Sequence, residues 1–222
     1  MRVSIGALGV ALATLIGAGS LQAQNLRQDS YKWYIGAQAG GLWFETQTQT
    51  STGIPSFGLH ALVMGKRGGL MLAVDEAFGS EETSAYGDSN APNGAQPVKF
   101  DRLRKYSGTL MAFPLRSRLE PFLGVGFGIL HTVNTSVDGF FTSPEDAAAA
   151  TDEAKNRGST GFASLILGGQ YRVSPRFVLY GQYQVTTAPA SGKLLIGPTH
   201  GAVLGIRLGL GDAREGVKGG GY

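Results

Sequence analysis

Trp33-Tyr34-Ile35-Gly36-Ala37-Gln38-Ala39-Gly40-Gly41-Leu42-Trp43 is the stretch that decides the fold. In an extended chain Trp33, Ile35, Ala37, Ala39, Gly41 and Trp43 share one face, while Tyr34, Gly36, Gln38 and Gly40 share the other. Two indoles therefore bracket an apolar band. The span between them, at ~3.3 Å per residue and a tilt of about 40°, rises roughly 25 Å, the height of the lipid-facing belt of a transmembrane β-barrel. Trp33 and Trp43 then mark the two membrane interfaces, where amphipathic rings settle.

The same period of two recurs along the chain. Phe57, Leu59, Ala61 and Val63 form the outward face of the second segment, and Leu70, Leu72 and Val74 that of the third. Tyr106, Leu110 and Ala112 serve the fourth, and Leu123, Val125, Phe127 and Ile129 the fifth. Ala163, Leu165, Leu167 and Tyr171 face out in the sixth; Phe177, Leu179, Tyr183 and Val185 in the seventh; Ala202, Leu204, Ile206, Leu208 and Leu210 in the eighth. Phe57, Tyr171 and Phe177 join the two tryptophans as interface aromatics. The fold expected is all-β: an eight-stranded, antiparallel, up-and-down transmembrane β-barrel over residues 31–211. A soluble sandwich or lipocalin-like barrel is the competing architecture, and it would invert the faces.

The connections alternate in kind. Lys66-Arg67-Gly68-Gly69, Pro114 to Arg118 and Val173-Ser174-Pro175 are tight, basic turns, whereas Glu45–Gly53, Gly79–Lys99 and Thr132–Gly158 are long polar loops. In the last of these, Ser143-Pro144-Glu145-Asp146 has the form of an N-cap, a proline at the first helical position and a first turn of acids, so one short helix is expected near 144–156. Charge sorts with the connections. Lys66, Arg67, Arg116, Arg118, Arg172 and Arg176 lie at short turns, and Glu81, Glu82, Asp88, Asp138, Glu145, Asp146, Asp152 and Glu153 in long loops.

At the start, Arg2, the apolar run Val3–Ala18 and Leu21-Gln22-Ala23 read as a signal peptide over 1–23, cleaved near Ala23 and followed by a segment 24–30. An uncleaved anchor is the competing reading; Gly6, Gly9 and Gly17 and a run short of the ~20 residues of a span weigh against it. Residues 212–222 form a polar tail. With 222 residues, a single domain is expected. There is no cysteine, so disulfides, thiolate metal sites and lipoprotein acylation are excluded. The formal charge of +3 is scattered through turns and termini, which does not make a nucleic-acid footprint.

Glu120-Pro121-Phe122-Leu123-Gly124-Val125-Gly126-Phe127-Gly128-Ile129 and the closing segment His200–Gly211 resemble the small OmpA-type and OmpW-type outer-membrane barrels. The resemblance implies a bacterial outer membrane, insertion by the barrel-assembly machinery, long loops outside the cell, and short turns and both termini in the periplasm. It implies no catalytic set.

An eight-stranded bore is just wide enough for its own side chains. The inward polar residues Gln38, His60, Asp75, Lys105, Ser107, Tyr180, Gln182 and Arg207 are thus expected to pair as a lumen network. Equal-face pairing around Arg67-Gly68 places His60 opposite Asp75 and Leu62 opposite Ala73, and pairing across Val173-Ser174-Pro175 places Tyr171 opposite Phe177 and Gly168 opposite Tyr180. Arg207 is expected beside a carboxylate, since facing lipid at mid-membrane would cost about 2–4 kcal/mol. His60, Asp75 and Ser107 also form the residue types of a base, an orienter and a nucleophile, although no oxyanion site accompanies them.

Other motifs are weak: Gly124, Gly126 and Gly128 alternate in a strand rather than opening a helix, and His60, His131 and His200 lack paired ligand spacing. No cofactor or metal is expected; the loop acids are solvated charge or, at most, a weak surface site for divalent ions. Three functions stay open: a non-enzymatic envelope barrel acting through membrane integrity or its loops, a narrow channel or transporter for small solutes, apolar ones among them, and a lipid-modifying enzyme. Outer-membrane lipid is the expected partner and a monomer the expected state.

Overall fold

The computed structural model describes residues 31–213 apart from 90, 92, 116, 140, 142 and 175. The expected signal peptide, the segment 24–30 and the part of the expected tail beyond 213 lie outside the described residues. The strands are β1 (Tyr31–Thr46), β2 (Thr52–Met64), β3 (Gly68–Gly87), β4 (Ala95–Ala112), β5 (Leu119–Val133), β6 (Ser136–Val137), β7 (Ser159–Arg172), β8 (Phe177–Thr186) and β9 (Leu195–Ala213), with one helix, α1 (Pro144–Arg157). Each wall strand pairs antiparallel with the next, and β1 pairs with both β2 and β9, so eight strands close into a barrel while β6 adds briefly to β4 beyond the wall. Closure leaves every wall strand paired on both sides, as hydrocarbon requires.

The faces are those of a membrane barrel, not of a lipocalin. Leu59, Phe127 and Leu204 are 68%, 72% and 74% exposed, and Arg207 is 0% exposed inside the bore. Trp33, Trp43, Phe57 and Tyr171 also point outward, with Phe177 half-buried beside the turns. The indole of Trp43 lies across Gly41 and Gly53, where any Cβ would come within 2.9 Å and 2.7 Å of it. Among the described residues no helix is long and apolar enough to cross a membrane.

Several sequence expectations need correction. The β2–β3 hairpin turns one residue earlier than equal-face pairing implies, which shifts each partner by two, with Gly65 N–H donating to the Gly68 carbonyl at 2.8 Å. His60 therefore faces Ala73, Leu62 faces Met71, and Asp75 faces Gly58. Across β7–β8 the shift goes the other way: Tyr171 faces Leu179, Gly168 faces Gln182, and Tyr180 lies opposite Gln170 and Gly205. Bulk still meets glycine, but across different strands: Tyr180 fills the space over Gly205, and Phe122 that over Gly168. The stretch Gly79–Lys99 is not a loop for most of its length, because β3 and β4 run past the membrane as a twisted ribbon with a bulge between Phe78 and Glu82. β9 continues to Ala213, into the segment expected to be tail.

Candidate functional site: the filled bore

Inward residues sort into layers along the bore. Near the short turns, Tyr34, Leu62, Met64, Met71, Met111, Phe113, Phe122, Ile166 and Val178 pack as an apolar cluster that also includes Tyr180. Toward the loops, Leu42, Phe44, Ile54, Phe100, Leu103, Leu130, Phe162 and Leu195 form a second. Gln38, His60, Asp75 and Lys105 occupy the space between them, and a polar branch through Gln170 and Glu120 runs past the first cluster to the turn-side rim.

That polar layer has a consistent donor polarity. Arg207 Nε donates to His60 Nε2 at 3.2 Å, which leaves the proton of a neutral imidazole on Nδ1, facing the Tyr180 hydroxyl at 3.3 Å. Tyr180 donates to Gln38 Oε1, and Gln38 Nε2 donates to Asp75. Asp75 also pairs with Lys105 Nζ at 3.2 Å, and Lys105 donates to Gln184 Oε1 at 2.7 Å. A second branch leaves Arg207 through Gln170, whose Oε1 accepts at 2.6 Å and whose Nε2 donates to Glu120 at 2.6 Å; Arg172 closes it with two bonds to Glu120 at 2.8 and 3.0 Å. Stacking completes the cage, with the guanidinium carbon of Arg207 3.8 Å from the Tyr180 ring centroid and 5.6 Å from that of Phe122.

The network brings together Gln38, His60, Asp75, Lys105, Tyr180 and Arg207, with Gln182 buried beside it. The expected His60–Asp75 contact is absent, because the shifted hairpin register moves the two apart and Tyr180 and Gln38 stand between them. Nor does Arg207 touch a carboxylate: one amide, Gln170, separates it from Glu120. Ser107 is half-buried on β4, across from Ala73 and Gly128. Glu120, Gln170, Arg172 and Gln184 were missed from the sequence, although each sits on the inward parity of its strand.

As a catalytic set, His60, Asp75 and Ser107 fail on geometry. The Nε2 lone pair of His60 accepts from a guanidinium and is not open to a nucleophile's proton. Asp75 is engaged by Gln38 and Lys105 rather than orienting an imidazole.

Beyond the membrane the loops form a packed platform. Ser143 caps α1, its hydroxyl accepting from Asp146 N–H at 3.1 Å, and Ala154 buries against Tyr86, Val98 and Leu194. Tyr86 donates to the Ala150 carbonyl at 3.2 Å and lies under Arg157, 4.9 Å from the ring centroid, and Arg157 in turn donates to the Gly192 carbonyl at 2.9 Å. Lys99 on the ribbon meets Asp138 at 2.8 Å, and that hydrogen bond and charge hold its pKa above the ordinary lysine value. The helix is thus fixed to the ribbon and the β8–β9 loop.

No family model and no curated protein sequence matches the chain. Solved structures do. Neisserial surface protein A (NspA) is similar with a TM-score of 0.53 and 15% identity, over 79% of this chain and 96% of that one. The attachment invasion locus protein Ail of Yersinia pestis gives 0.41 and 11%, over 82% and 99%. The N-terminal β-barrel domain of Pseudomonas aeruginosa OprF gives 0.42 and 10%, over 80% and 97%. With its closed wall of eight antiparallel strands, the chain has the small outer-membrane β-barrel fold.

Proposed function

We propose that this chain is a non-enzymatic bacterial outer-membrane barrel that works through its exterior, contributing to envelope integrity or to surface interaction by its loop platform. On this reading the leader is cleaved near Ala23, the barrel-assembly machinery inserts the chain as a monomer, the loops face outward, and both termini stay in the periplasm. The supporting observation is the blocked bore: Arg207, fully buried, is tied across the lumen to His60 and Gln170, with one apolar cluster packed toward the turns and another toward the loops. A conduction path would need that packing undone, which counts against the narrow-channel reading. Purified barrel reconstituted in planar bilayers is expected to show no stepwise conductance; stable, reproducible current steps would overturn the proposal.

The enzymatic reading has a separate test. Ser107→Ala removes a half-buried hydroxyl facing Ala73 and Gly128, so stability is expected within about 0.5 kcal/mol of the parent. Phospholipid vesicles carrying either form should show the same background lysolipid by mass spectrometry. Lysolipid formed by the parent and lost in the variant would restore Ser107 as a nucleophile.

A further inference from the structure

The turn-side rim is strongly basic. Lys66 and Arg67 lie in the β2–β3 turn, Arg118 precedes β5, and Arg172 and Arg176 flank the β7–β8 turn, with Lys32 on β1. Among the described residues the acids there are Glu120, already held by Arg172 and Gln170, and Asp212, in register with Lys32. The loop side carries the opposite balance, with its acids on the ribbon, α1 and their connections. A cavity of about 500 Å³ opens in this rim between Lys32, Arg118, Glu120, Arg172 and Ser174. Arg172 Nε is buried beside it without a hydrogen-bond partner.

Depth matters as much as sign. Arg118 stacks on the outward ring of Tyr171, its guanidinium carbon 5.4 Å from the centroid. The stack seats a cation at the edge of the apolar belt, at the level of lipid phosphates. Trp33 marks the same level on the other side of the wall, paired with Val63 near the β2–β3 turn.

We infer that the turn-side rim is a binding surface for acidic phospholipid headgroups, with the cavity between Lys32, Arg118 and Arg172 taking a phosphate and Arg67 and Arg176 engaging neighbouring lipids. The inference rests on the membrane-spanning reading above and adds a lipid preference to one of its two interfaces. Surface-exposed lysines and arginines draw anionic lipid through Coulomb attraction, which is additive and salt-sensitive.

The two tryptophans supply the test. Trp43→Phe leaves Trp33 as reporter of the turn side, and Trp33→Phe leaves Trp43 as reporter of the loop side. Each full-length variant is reconstituted in phosphatidylcholine vesicles containing, at one mole fraction, either brominated phosphatidylglycerol or brominated phosphatidylcholine. Trp33 is expected to be quenched about twofold more strongly by the brominated acidic lipid, and Trp43 equally by both. Adding Arg67→Gln, Arg118→Gln and Arg176→Gln together, all exposed, should abolish the Trp33 preference while keeping the heat-modifiable gel shift of a folded barrel. Equal quenching of Trp33 by the two lipids would overturn the inference and leave the barrel reading standing. No quenching by either lipid, with no gel shift, would overturn the barrel reading itself. Inorganic phosphate at constant ionic strength should leave the preference intact; its loss would mean that the site takes the free anion and not the lipid.

Discussion

Replacing Arg207 by Ala is expected to destabilise the barrel by about 3–5 kcal/mol, the usual cost of breaking a buried ionic network, because it strands two acceptors and leaves an unfilled void. The acceptors are His60 Nε2 and Gln170 Oε1, and the void lies against the faces of Tyr180 and Phe122. Urea titration in detergent micelles, followed by the heat-modifiable gel shift, measures the loss. Arg207→Met, which keeps most of the volume, is expected to recover part of it, because a buried ion can often be replaced by a well-packed hydrophobe. A midpoint for the alanine variant within the range of a surface substitution would show that the network is incidental to folding.

The Asp75–Lys105 pair is expected to give the second large effect. Asp75→Ala leaves the Lys105 ammonium buried with Gln184 as its remaining partner, and stranding one ion of such a pair costs about 3–5 kcal/mol. Asp75→Leu combined with Lys105→Met removes both charges and should return most of that loss. A double-mutant cycle in the same titration checks it: coupling near zero would mean that the two side chains do not depend on one another. Gln38 links the two experiments. It donates to Asp75 and accepts from Tyr180, so Asp75 variants also loosen the branch leading back to Arg207.

The architecture is largely legible in the sequence, because alternation, turn residues and the Ser143-Pro144 cap are local signals. Register is not. Sliding a strand by two residues leaves every side chain on the face it had, so the pattern that places His60 and Asp75 inside is silent on whether they meet. The turn decides, and both hairpins adopt a closure other than the symmetric one: Met64 with Gly69 in one, Arg172 with Val178 in the other. The same degeneracy hides the partners of Arg207. Gln170 and Glu120 carry no local signal of their partners, and only the closed wall brings β7 and β5 to face β9 across the bore. The ribbon of β3 and β4 escapes for a different reason: its polar composition resembles a loop, while strand pairing and contact with α1 keep it extended.

Alternation also governs how such a chain can travel. By setting a leucine beside a glycine or a glutamine at every step, the strands dilute their own greasiness until the whole sequence has a mean hydropathy of +0.00. Over residues 31–213 an unclosed chain therefore offers no continuous oily stretch that a bilayer could seize. Only when the wall shuts do the scattered apolar side chains gather into one coat, so the lipid-facing surface is a product of closure and not of any single strand.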